Sequence, residues 1–161
     1  MTTTTTLSGQ VAAVTGAAQG IGRAIAQRLH DQDATVWLLD VDPGSAQRAA
    51  SELGERAHAC AADVTDETSL LAARGTILDG SGRLDILVNN AGIYPAESIG
   101  EITVESWERV FAINCRGVFL ASRTFMAPMI EAGYGRIVSI VTVDAYGPKP
   151  NMAHYAASKA A

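Results

Sequence analysis

An α/β fold, a doubly wound parallel sheet with helices on both faces, is predicted by three observations. Short apolar β-rich runs alternate with longer segments of helical spacing five times along the chain. A glycine-rich turn, TGAAQGIG, joins the first run to the first helical segment. At 161 residues, 48% hydrophobic and 18% charged, the chain has the composition and length of one ordinary globular domain.

The elements follow in order. Residues 10–15 (QVAAVT) read as the first strand and 20–29 as the first helix. Residues 34–39 (ATVWLL) are the second strand, and 43–53 the second helix, with Pro43 suited to its first turn. A third strand is expected over 56–62, then a third helix over 66–78 opened by a capping residue. The run LDILV at 84–88 is the fourth strand. Residues 104–132 read as one long helix ended by Gly133, and 136–142 (RIVSIVT) as the fifth strand. A last helix starts near Asn151. The longest irregular stretch inside the body is 89–103.

Bulk properties narrow the functional classes. The formal charge is −5, with no basic cluster, which argues against nucleic acid or an anionic membrane as partner. The longest apolar run, 137–143, is strand-sized, so no membrane span is expected. Residues 1–8 begin with a threonine run and read as a flexible polar tail, without the blocks of a secretion signal. Cys60 and Cys115 lie in apolar segments with no second ligand nearby. They are expected to be buried free thiols of a cytoplasmic protein, and no metal site is expected.

The glycine turn points to a dinucleotide. Gly16, Gln19, Gly20, Ile21 and Gly22 let backbone N–H groups approach a pyrophosphate at the N-terminus of the first helix. Gly22 is followed by Arg23-Ala24, which excludes a P-loop. Asp40 ends the second strand, where a carboxylate accepts from both ribose hydroxyls of an adenosine and repels the extra phosphate of NADP. Neither Gln19 nor Val41 is basic, so NAD is favoured over NADP. Asp63, followed by Val64, either meets the adenine amino group or caps the third helix. Asn90, Ala91 and Gly92, after the fourth strand, give a cofactor room against the strand ends.

The chemistry is read from Tyr155-Ala156-Ala157-Ser158-Lys159. Residues four apart share a helix face, so the phenol of Tyr155 and the ammonium of Lys159 point into one space. A nearby cation favours a phenolate, and a phenol so tuned can exchange a proton with a substrate oxygen.

Taken in order, TGAAQGIG, Asp40, Asp63-Val64, NNAG, Asn114, the fifth strand and Tyr155 to Lys159 resemble the short-chain dehydrogenase/reductase family over essentially the whole chain. The resemblance implies a Rossmann-like NAD(P)-binding domain over 1–161 with strand order 3-2-1-4-5, and an NAD-dependent oxidoreductase that interconverts a secondary alcohol and a ketone. It implies that Tyr155 is the general acid/base. Lys159 supports the phenolate and binds the nicotinamide ribose, and Asn114 holds a water that relays protons from Lys159. Asn90 and Gly92 line the cofactor. The family serine thirteen residues before the tyrosine is replaced by Thr142, whose hydroxyl donates the same bond. Family members are dimers or tetramers and continue past this point with further strands. The chain therefore reads as C-terminally incomplete, with an unpaired fifth strand, weak cofactor binding and little turnover. A non-catalytic nucleotide-binding fragment is the alternative, and a methyltransferase using S-adenosylmethionine is a third reading.

Overall fold

The computed structural model describes residues 7–161. Of the tail expected over 1–8, residues 1–6 lie outside the described residues. Leu7 is anchored: its N–H donates to the Gln32 carbonyl at 3.2 Å and its side chain packs on the sheet. Five parallel strands form one sheet: β1 (Val11–Thr15), β2 (Thr35–Asp40), β3 (Ala57–Ala61), β4 (Ile86–Asn89) and β5 (Arg136–Ser139). Their order is β3-β2-β1-β4-β5, as predicted.

Strand periodicity builds two cores. Ala13, Trp37, Leu39 and Leu87 face one side, where they meet Leu70 and Ile77 of α3 (Glu67–Ser81) and Phe125 of α5 (Gly117–Glu131). Their neighbours Ala12, Val14, Val36 and Leu38 face the other side. There they meet Ala26 of α1 (Gly20–His30) and Ala49 and Leu53 of α2 (Pro43–Leu53). A strand covered on both faces must be apolar throughout, which is why VAAVT has no polar alternation.

Local chemistry sets the helix starts. Asp42 caps α2 by accepting from the Gly44 and Ser45 N–H groups, and Asp66 caps α3 by accepting from Thr68. Thr103 does the same for α4 (Val104–Phe111) through Ser106. Gly82, at φ 71°, ends α3 in the left-handed region.

Three expectations need correction. The helix expected over 104–132 is interrupted by a π turn at Ala112–Arg116 that separates α4 from α5. Within α5, Pro128 has no N–H to give the Thr124 carbonyl, and Arg74 supplies a donor at 3.4 Å instead. The fifth strand stops at Ser139 rather than at residue 142. It pairs with β4 alone among the described residues and is exposed along its length. Both cysteines are free, as expected, but half-buried rather than buried. The last helix, α6 (Ala153–Ala160), follows Asn151, whose φ of 63° keeps it outside the helix.

No helix among the described residues is long and apolar enough to cross a membrane. The crossover from β1 places β2 on one side of it and the crossover from β3 places β4 on the other, opening a crevice at the strand C-terminal ends.

Candidate active site

A cavity of about 960 Å³ fills that crevice. Its floor is the glycine turn, and the turn is held by contacts across the sheet. The Thr15 hydroxyl oxygen accepts from the N–H groups of Asn90 and Ala91, both at 3.0 Å. The Asn90 amide returns two bonds of 3.0 Å to the carbonyls of Thr15 and Gly16. Gly16 sits at φ 62°, and a Cβ there would lie 2.9 Å from the Ala91 backbone. A Cβ at Gly22 would lie 2.3 Å from the Gly16 carbonyl oxygen and 2.4 Å from Asn90 Nδ2. Two strand-end turns are thus locked together with no space for a side chain at their contact.

These residues fit an anionic dinucleotide. Of α1 to α4, α1 alone has no side-chain cap: Gln19 precedes it without a bond to its N–H groups, and its first turn holds no acid. Its free N–H groups and partial positive charge face the cavity that Gly20 and Ile21 line.

Asp40 lies at the wall. One carboxylate oxygen accepts from Ala18 N–H at 3.0 Å and the other from Asp42 N–H at 3.1 Å. Each oxygen keeps a second lone pair for a ligand. Asp63 does not cap α3, since Asp66 does. It closes its own turn by accepting from the Thr65 N–H and hydroxyl at 2.8 and 2.7 Å, and with Val64 it lines the cavity.

At the other end Tyr155 and Lys159 line the same cavity, with Tyr94 tilted against Tyr155 at 6.0 Å between ring centres. Lys159 Nζ donates to the Ile140 carbonyl at 2.8 Å. Asn114 is buried in the π turn. Its amide nitrogen donates to the Ile93 carbonyl and to Ser158 Oγ, and its carbonyl accepts from Ile93 N–H. Ser158 in turn donates to the Tyr155 carbonyl at 2.8 Å. Asn114 therefore fastens the loop after β4 to the tyrosine helix. A Cβ on Gly92 would lie 3.2 Å from Asn114 Oδ1 and 3.6 Å from Lys159 Nζ, so both polar groups converge on that bare position. A wide π turn places such a side chain inward where a regular helix would carry it past.

Thr142 is not brought to the cavity wall. Its hydroxyl oxygen accepts from Asp144 N–H at 3.2 Å and its proton goes to the Asp144 carboxylate at 3.1 Å, opening a short 3₁₀ turn. Thr15 and Ser158 escaped the sequence reading, as did Arg109 and Arg116 of the wall. Hydroxyls one residue before a glycine turn and before the lysine were the available signals. His154, in the first turn of α6, is fully buried, with Nε2 3.5 Å from the Glu97 carboxylate.

Burial holds the Lys159 pKa below the ordinary lysine value of 10.5. In the alkaline window between that lowered value and 10.5, the unfolded chain holds more protons than the folded one. This site therefore adds stability as pH rises through the window. Lys159→Met is expected to remove that rise and leave the fold no less stable at neutral pH. Thermal melts across the window check it; an unchanged alkaline slope would refute it.

Comparison with known proteins places the arrangement. Residues 10–161 match the short chain dehydrogenase family. The chain is 39% identical over 158 residues to 2,3-dihydro-2,3-dihydroxybenzoate dehydrogenase of Bacillus subtilis (strain 168), covering 96% of this chain and 60% of that protein. It is also 39% identical over 155 residues to cyclopentanol dehydrogenase of Comamonas sp. (strain NCIMB 9872), covering 94% of this chain and 62% of that one. The crystal structure of 3-ketoacyl-(acyl-carrier-protein) reductase from Brucella melitensis, complexed with NADH, superposes with a TM-score of 0.93 at 36% identity, over 96% of this chain and 66% of that one. The chain thus spans about 60% of the length of these curated relatives.

Proposed function

The chain belongs to the short-chain dehydrogenase family, and on that premise we propose that it serves the NAD-dependent interconversion of a secondary alcohol and a ketone. The observation that carries this reading is one cavity lined by Tyr155, Lys159 and an uncapped glycine-turn helix. The nicotinamide, when bound, gives or takes the hydride. Tyr155 gives the substrate oxygen a proton in the reducing direction and takes one in the other. Lys159, four residues on, supplies the cation that favours the phenolate and donates to the nicotinamide ribose. Asn114 Oδ1 and Lys159 Nζ both approach Gly92, and Oδ1 keeps a lone pair for a relaying water. By its spacing from Tyr155, Thr142 is assigned the substrate oxygen, a role that requires its hydroxyl to leave Asp144 and reach the cavity. By the same family likeness we read the protein as a cytoplasmic homo-oligomer, a dimer or a tetramer, with residues 1–161 forming a single domain.

NAD is preferred because Asp40 presents a carboxylate where the adenosine ribose would lie, with no cation at Gln19 or Val41 to receive a further phosphate. Fluorescence titration is expected to give tighter binding of NADH than of NADPH. Asp40→Asn keeps an oxygen for Ala18 N–H and removes the charge, and should narrow the preference at least about tenfold. Equal affinity of the unaltered protein for both cofactors would defeat the assignment of Asp40. Absorbance assays with NAD and a panel of secondary alcohols test the reaction itself, and displacement of NADH by S-adenosylmethionine would replace it with methyl transfer.

A further inference from the structure

The chain carries a formal net charge of −5, yet the cavity wall does not share that sign. Its charged residues are Asp40 and Asp63 against Lys159, Arg109 and Arg116, a balance of +1. Asp40 accepts from the N–H groups of Ala18 and Asp42, and Asp63 from Thr65 of its own turn, so neither carboxylate pairs with a cation. Lys159 is held by the Ile140 carbonyl. Elsewhere Arg23, Arg56, Arg83 and Arg123 each pair with a carboxylate. Arg109, on α4, and Arg116, at the end of the π turn, are exposed and make no ion pair or side-chain hydrogen bond among the described residues. With Ala112 and Ile113 they form the cavity wall contributed by α4 and the π turn, and the glycine turn with the uncapped α1 forms another part of the same lining.

An unpaired guanidinium at the rim of a cavity is an anion receptor, because its planar fork matches phosphate oxygens. The α1 N-terminus supplies only partial charges to that anion. We propose that Arg109 and Arg116 are phosphate-binding residues that close over the pyrophosphate of the dinucleotide from the α4 side. The inference rests on the nucleotide reading above and extends it to two residues outside the glycine turn.

The test is equilibrium binding of NADH, ADP and adenosine by calorimetry to the unaltered protein, to Arg109→Gln, Arg116→Gln and the double variant, and to the two Arg→Lys variants. Both side chains are exposed, so the fold is expected to survive, with circular dichroism melts as the control. The double variant should bind NADH and ADP about tenfold more weakly at low ionic strength. The deficit should shrink in high salt, adenosine should bind unchanged, and lysine should restore part of the loss. Equal binding of NADH and ADP by the double variant and the unaltered protein would overturn the proposal while leaving the nucleotide site intact. An equal loss for adenosine would overturn it in favour of a shape effect. Failure of the unaltered protein to bind either NADH or ADP would remove the nucleotide reading and this inference together.

Discussion

Tyr155→Phe is expected to lower alcohol oxidation by about 10²–10⁴-fold while NADH affinity stays within about twofold. The variant keeps the ring, and with it the 6.0 Å contact to Tyr94. It keeps the carbonyl that receives the Ser158 hydroxyl, so α6 and the Asn114 link remain in place. Only the ionisable oxygen is lost, which isolates proton transfer from packing. Rates from NADH absorbance on secondary alcohols, with a parallel fluorescence titration, separate the two effects. Full turnover by the phenylalanine variant would remove Tyr155 from the chemistry, and loss of NADH binding alongside turnover would make it a structural residue instead.

The second large effect is expected at Gly22. Alanine there places a methyl group 2.3 Å from the Gly16 carbonyl oxygen, well inside contact distance. That neighbour is backbone of the glycine turn, which cannot swing aside as a side-chain end would. The Asn90 amide at 2.4 Å must also move, and with it the bonds it makes to Thr15 and Gly16. Overpacking of this kind costs about 2 kcal/mol or more, a fall in Tm of roughly 4–8 °C for a chain of this size. The larger consequence is for the ligand: a displaced turn no longer aims its N–H groups into the cavity, and NADH binding should be lost. Unchanged binding in Gly22→Ala would show that the turn is not the dinucleotide floor.

Both expectations concern residues that stood out in the sequence, and the reason is local. Glycines spaced for a turn, a carboxylate at a strand end, and Tyr and Lys one helical turn apart are short-range patterns whose meaning follows from backbone geometry. The same holds for the cap that opens the third helix, which is Asp66, and for the apolar strands. What escaped lies at longer range. Thr15 reads as an ordinary strand residue until Asn90, seventy-five positions on, is seen to donate to it. Arg109 and Arg116 read as solvated helix charges until α4 is set beside the cavity. Thr142 had the right spacing from Tyr155, but the strand ended three residues earlier and its hydroxyl found Asp144. Spacing along a chain transmits position only while the element remains regular.

The amino-acid sequence alone was enough for the doubly wound sheet, the order of its elements, the glycine turn and the Tyr155–Lys159 pair, because periodicity and turn chemistry act between neighbours. Only the folded chain decided that the long helix breaks at a π turn to bury Asn114, that Lys159 is steadied by the Ile140 carbonyl, and which cations stand unpaired at the cavity. Those outcomes depend on which distant groups arrive to satisfy a buried amide or an ammonium, and hydrogen-bond satisfaction is settled across the whole packed structure.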